Sequence, residues 1–194
     1  MDFDTKITPK TKGNDIVAYD CLAGLSSLNN LPYTKLEVHS IIETRHNLAD
    51  TLLTGKDATD ESFMELLKKR YPLVHISTHG FFGGEMSDGT DLKPATSDGT
   101  MSQSVLFFAG VTSALSDKSF DKTMFDGLLS ASELSKFDMN GVEFISLSAC
   151  QTALGTITAD GIFGIQRALK MAGAKSLMVS LWPVGDESAY LLFK

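Results

Sequence analysis

The sequence predicts an α/β domain built on a mainly parallel sheet. Three apolar runs, LVHISTHG (73–80), VEFISLSAC (142–150) and KSLMVSLWPV (175–184), have the near-continuous hydrophobicity of strands covered on both faces. Segments with helical spacing of apolar residues lie between and beside them. Strands alternating with helices argue for helices packed on a parallel sheet. The length, 194 residues, suits one domain, and 43% hydrophobic against 21% charged residues supply a core.

Each element has its own reason. Residues 1–15 are polar and charged and read as a loose tail or the end of an upstream region, leaving 16–194 as the domain. IVAY (16–19) is a candidate first strand, followed by the loop LAGLSSLNNLP. Leu36, Ile41, Ile42 and Leu48 give an imperfect apolar face to a helix from Tyr33 to Asn47. TLLTG (51–55) is short and β-prone. From Asp57 to Arg70 the helix signal is better: Thr59 suits the N-cap, Phe63, Leu66 and Leu67 share a face, and Lys68, Lys69 and Arg70 suit the C-terminus. After the 73–80 strand, Gly83, Gly84, Gly89 and Gly99 mark a long loop over 81–102, and long loops in compact domains are often functional. SVLFFAG (104–110) reads as a strand and SALSDKSFDKTM as a second polar loop. LLSASELSKF (128–137) reads as a short strand running into a helix capped by Ser130 or Ser132. Beyond the 142–150 strand, Asp160 to Ala172 forms a helix with Gly173 at C′, and ESAYLLFK opens a last helix.

Composition narrows the function. The chain carries 17 basic and 24 acidic side chains, a net charge of −7, with no basic stripe for nucleic acid. No apolar run approaches the ~18–20 residues of a membrane span. MDFDTKITPK lacks the apolar stretch of a secretory signal, so a cytoplasmic place is expected. Cys21 and Cys150 are too few for a disulfide framework or a structural zinc site. GFFGGEMSDG lacks the G-K-[ST] of a phosphate loop.

In such sheets, reactive groups collect beyond the carboxyl ends of the strands. His79 closes LVHIST and Cys150 closes FISLSA. A thiol is a strong nucleophile only as thiolate, and a nearby imidazole takes or stabilises that proton. Acyl transfer also needs donors for the developing oxyanion. The backbone N–H groups of Gly80 and Cys150 are the candidates. The plainer reading is that Cys150 is a small core residue and His79 a structural histidine; sequence spacing leaves both open. Alternation puts His75, Ser77 and His79 on one strand face. A relay there competes with a buried, hydrogen-bonded His75.

These residues carry a resemblance. VHISTHGFF and SLSACQTALG, followed by DGIFGIQRALKMAGAKSLMVSLWPVGDES, resemble the CHAT domain, one of the caspase-like (clan CD) cysteine peptidases alongside caspases, separases and gingipains. LPYTKLEV (31–38) and DGLLSASEL (126–134) are similar to its earlier segments. The resemblance implies a caspase-like three-layer α/β sandwich, with a domain that continues past the point where this chain stops. It implies His79 as general base and acid, Cys150 as the nucleophile that forms a thioester, and Gly80 and Cys150 N–H groups at the oxyanion. It needs no metal or organic cofactor. It implies a protein or peptide substrate and, as a partner, a sensor domain of TPR type or a regulatory protein, with no nucleic acid and no membrane. Asp186, after the LWPV strand, stands where relatives place an acid facing a basic P1 side chain. Asp160 is a second candidate, although capping alone explains an Asp at a helix start. The rival reading is a catalytically silent CHAT-like module that binds a partner peptide in the same cleft.

Overall fold

The computed structural model describes residues 28, 30–45, 50–82, 104–111, 126–151, 159–180 and 184–194. Helix α1 spans Pro32–Arg45 and, after a 3-10 turn at Gly55–Asp57, α2 spans Asp60–Leu67. Strands β1 (Leu73–Phe82), β2 (Ser104–Phe107) and β3 (Leu128–Ser130) lead into the short helix α3 (Ala131–Leu134). Strand β4 (Phe144–Gln151), helix α4 (Ala159–Met171), strand β5 (Ser176–Val179) and helix α5 (Asp186–Phe193) follow. The candidate strand at 16–19 and most of the two polar loops lie outside the described residues.

The five strands form one sheet in the order β3-β2-β1-β4-β5. β1 pairs with β4, and β4 with β5, in parallel; β2 runs against both β1 and β3. Four strands therefore point one way and β2 the other. The fold is the mixed α/β sandwich with a mostly parallel sheet that the sequence predicts, consistent with a caspase-like architecture.

Caps set the helix ends, and α2 is shorter than the 57–70 read from the sequence: Asp57 belongs to the 3-10 turn, and Lys68, Lys69 and Arg70 follow the helix as a turn. The Thr59 hydroxyl accepts the Ser62 N–H at 3.0 Å, satisfying a free donor of the first turn of α2. Glu61 places an acidic side chain in the first turn, at the positive end of that helix. At α3, Ser130 and Glu133 form a capping box: the Ser130 hydroxyl accepts the Glu133 N–H at 3.1 Å, and the Glu133 carboxylate accepts the Ser130 N–H at 2.9 Å. After α4, Gly173 turns left-handed at φ +108°, and the Ala174 N–H reaches back to the Leu169 carbonyl at 3.1 Å.

The apolar core lies on one face of the sheet. Ile76 of β1, Leu106 of β2, Leu129 of β3 and Ile145, Leu147 and Ala149 of β4 pack against Leu134 of α3, Ile165, Ala168 and Leu169 of α4, and Phe63 and Leu67 of α2. Each such large side chain withdrawn from water contributes about 1.5–3 kcal/mol. Phe63 stacks on Phe108 with ring centres 5.6 Å apart.

Four expectations are corrected. TLLTG is not a strand: residues 51–54 are irregular, and Gly55, at φ +58°, opens a 3-10 turn instead. β1 runs two residues past Gly80, because β2 pairs with Gly80, Phe81 and Phe82. β5 is shorter than 175–184 and only half covered: Met178 is 38% exposed, since β5 pairs with β4 alone among the described strands. On α1, Leu36 faces solvent at 51% exposure, and the buried residues of that helix are Thr34 and Glu37.

Candidate active site

β1 and β4 run side by side in parallel from Leu73 opposite Phe144 to Gly80 opposite Gln151. In that register His79 stands directly opposite Cys150. Side chains alternate along a strand, so positions 75, 77 and 79 of β1 share a face with 146, 148 and 150 of β4. The other face holds Ile76, Leu147 and Ala149 and belongs to the core. Two residues 71 positions apart in sequence are thus register neighbours (150 − 79).

The surroundings hold these positions still. His79 is buried, as are its neighbours Thr78 and Gly80. The Thr78 hydroxyl donates to the Phe107 carbonyl on the opposite face, fixing β1 against the end of β2 just before His79. Across the sheet, the Ser180 hydroxyl donates to the Ala149 carbonyl at 3.4 Å, just before Cys150. Gly80 lies within β1, between Leu106 of β2 and Gln151 of β4, rather than at a free strand end.

Below this pair the same face is polar and is covered by α1. His75 is hydrogen-bonded at both ring nitrogens: Nε2 to Glu37 Oε1 at 2.6 Å, and Nδ1 to the Ser146 hydroxyl at 2.6 Å. A carboxylate only accepts, so the proton of that contact sits on Nε2. The Ser148 hydroxyl donates to the second carboxylate oxygen of Glu37 at 3.2 Å. The Phe193 ring meets His75 edge-on, with centres 4.7 Å apart. His75 is therefore the hydrogen-bonded histidine of the two readings given for it. Glu37, Ser146 and Ser148 escaped sequence reasoning. Their trace was the alternation Ile-Ser-Leu-Ser over 145–148, which implies a polar partner above the sheet.

Asp186 opens α5, and both its oxygens are engaged by α1. One accepts the Tyr33 N–H at 2.9 Å and the other the Thr34 hydroxyl at 3.2 Å. It satisfies a free donor at the start of α1. Asp160 is the second residue of α4, and its side chain lies outside the described residues. Beneath α1 a cavity of about 900 Å³ is lined by Val38, Ile41, Leu53 and Tyr71, with His75 and Ser146 among its polar groups. His79 is not among the described residues that line it.

Two further carboxyls are deeply buried away from this site. Asp60 and Asp126 flank Gly127, whose N–H donates to Asp60 Oδ2 at 3.2 Å; Asp126 Oδ1 accepts the Leu128 N–H at 2.8 Å. Burial, only partly offset by backbone N–H donors, raises each from the ordinary 3.8 to about 7.

The sheet order is that of a mixed α/β domain and is consistent with a caspase-like fold. A profile of the CHAT domain matches residues 12–194, and the chain belongs to the CHAT domain family. A stretch of 57 residues, 29% of this chain, is 42% identical to tetratricopeptide repeat protein 28 of Mus musculus. The match spans about 2% of that protein's length. No solved structure matches the chain. No described helix is long and apolar enough to cross a membrane.

Proposed function

We propose that this domain is a cysteine endopeptidase working through a Cys150–His79 dyad. The observation that carries the reading is the parallel register that sets His79 opposite Cys150 in a chain of the CHAT family. His79 takes the proton of the Cys150 thiol, and the thiolate attacks the carbonyl carbon of the scissile peptide bond. The N–H groups of Gly80 and Cys150 receive the oxyanion. As the C–N bond breaks, His79 returns its proton to the leaving amine, and a thioester remains. Water, deprotonated by His79, then attacks the thioester; the acid product leaves and the thiol is restored.

A protein substrate, a cytoplasmic place and control by a TPR-type sensor or another regulatory partner belong to the same proposal. The name of the Mus musculus relative supports the link to tetratricopeptide repeats. A basic P1 side chain read by Asp186 or Asp160 belongs to it too, with Asp186 also bonded to α1 through both oxygens.

The test is hydrolysis of a peptide panel varied at P1, with thioester trapping on Cys150 followed by mass spectrometry. Cys150→Ala is expected to abolish cleavage. His79→Ala is expected to lower it by about 10²–10⁴-fold, the usual contribution of a positioned general base. Asp186→Asn is expected to weaken cleavage after Arg and Lys more than after Leu. If the wild-type chain neither cleaves nor traps a thioester, the domain is a silent module that binds a partner peptide.

A further inference from the structure

The layer over the dyad face is attached in an unusual way. Helices dock on sheets through apolar stripes, yet the buried residues of α1 are Thr34 and Glu37, while Leu36 points outward. Glu37 is 1% exposed, and its two oxygens reach two different strands: Oε1 takes His75 of β1 and Oε2 takes Ser148 of β4. Ser146 then links His75 back to β4. The carboxylate thus staples β1 to β4 from above. A buried carboxylate paired with a part-buried imidazole is a costly way to hold a helix, since apolar residues of similar volume often do as well or better. Its place along the strands is what distinguishes it. Ser148 is two residues before Cys150, and His75 is four before His79, all on the shared face.

We propose that Glu37 is a positioning residue for the dyad. Acting through Ser148 and His75, it holds the β1–β4 register that sets His79 against Cys150. This rests on the dyad reading above. The staple works by hydrogen bonds, so an amide at position 37 preserves it: its carbonyl oxygen accepts from Ser148 while its NH₂ donates to the other tautomer of His75.

The experiment is the pH profile of iodoacetamide alkylation at Cys150 in the full chain, read by peptide mass spectrometry with Cys21 as internal reference. Glu37→Ala is expected to move the Cys150 midpoint up towards that of Cys21 and to lower its rate at pH 7 by about ten- to a hundredfold, the scale of a small misplacement at a reacting centre. Glu37→Gln is expected to stay close to wild type. Ser148→Ala, which leaves the Glu37–His75 bond intact, is expected to move the midpoint in the same direction, and it decides the matter if Glu37→Ala fails to fold. An unchanged Cys150 midpoint in the folded Glu37→Ala or Ser148→Ala chain, even with a lowered melting temperature, overturns the proposal and leaves the dyad standing. A wild-type Cys150 profile that coincides with that of Cys21 overturns both.

Discussion

Gly127→Ala is expected to leave no cooperatively folded protein at 37 °C. Gly127 adopts φ +80°, where an L-residue is strained by roughly 1–2 kcal/mol. The larger cost is steric. An added Cβ would lie 2.6 Å from Val111 N, 3.0 Å from Val111 Cα and 3.1 Å from Ala109 O. All three are backbone atoms, so no side chain can rotate away. The glycine also accepts the Phe108 N–H at 2.7 Å and donates to Asp60, so any shift breaks the joint that holds α2 against the start of β3. Combined losses above about 4 kcal/mol are comparable with the whole stability of an ordinary domain. Gly55→Ala is the control: φ is +58°, but nothing lies within 4 Å of the new methyl, so only about 1–2 kcal/mol is expected. Urea unfolding followed by circular dichroism measures both. Equal costs for the two variants would refute the steric account.

The second large effect is a stability that falls as pH rises from about 4 to about 7. In the folded chain Asp60 and Asp126 hold their protons up to about pH 7, whereas the ordinary value is 3.8. Between those limits the native state binds more protons than the unfolded state. Stability therefore declines with rising pH through that window and is level above it. Each full shift is worth up to about 4 kcal/mol at ~1.4 kcal/mol per unit. The cause is burial, with the Glu133 carboxylate adding repulsion at both sites and backbone N–H groups offsetting part. Asp60→Asn removes one titration. Its urea midpoint is expected to match or trail wild type at pH 4.5 and to exceed it at pH 8. Parallel pH dependences in the two proteins would contradict the assignment.

The sequence made the parts that rest on local chemistry easy to read. Thr59 and Ser130 cap helices for the reason their side chains suggest, and Gly173 ends α4 because only a residue tolerant of positive φ fits there. The runs at 73–80 and 142–150 form strands whose stretches 76–80 and 145–149 are buried, where apolar, small and β-branched residues carry the chain into the sheet. What stayed hidden depends on pairing. Nothing in SVLF states that β2 runs antiparallel to β1, or that this pairing extends β1 to Phe82. TLLTG has strand-forming residues but no partner among the described strands, and propensity yields to that context.

The candidate site divides in the same way. His79 and Cys150 stood out because each ends an apolar run beside a small residue, but their register is a property of the sheet. Glu37 was invisible as a buried group, since a glutamate in a weakly amphipathic helix ordinarily faces water. The polar alternation of Ser146 and Ser148 beside His75 and Ser77 was the available signal: a covered face carrying hydroxyls and imidazole requires hydrogen-bond partners from the layer above. Reading both strands as uniformly apolar concealed it.

The dyad itself is tested most directly by comparing the alkylation profile of Cys150 in the wild-type and His79→Ala chains, with Cys21 as reference. Cys150 is expected to react with a midpoint well below the ~8.5 of an ordinary thiol, ahead of Cys21, and His79→Ala is expected to return it to the ordinary range. A Cys150 midpoint that is the same with and without His79 would contradict it.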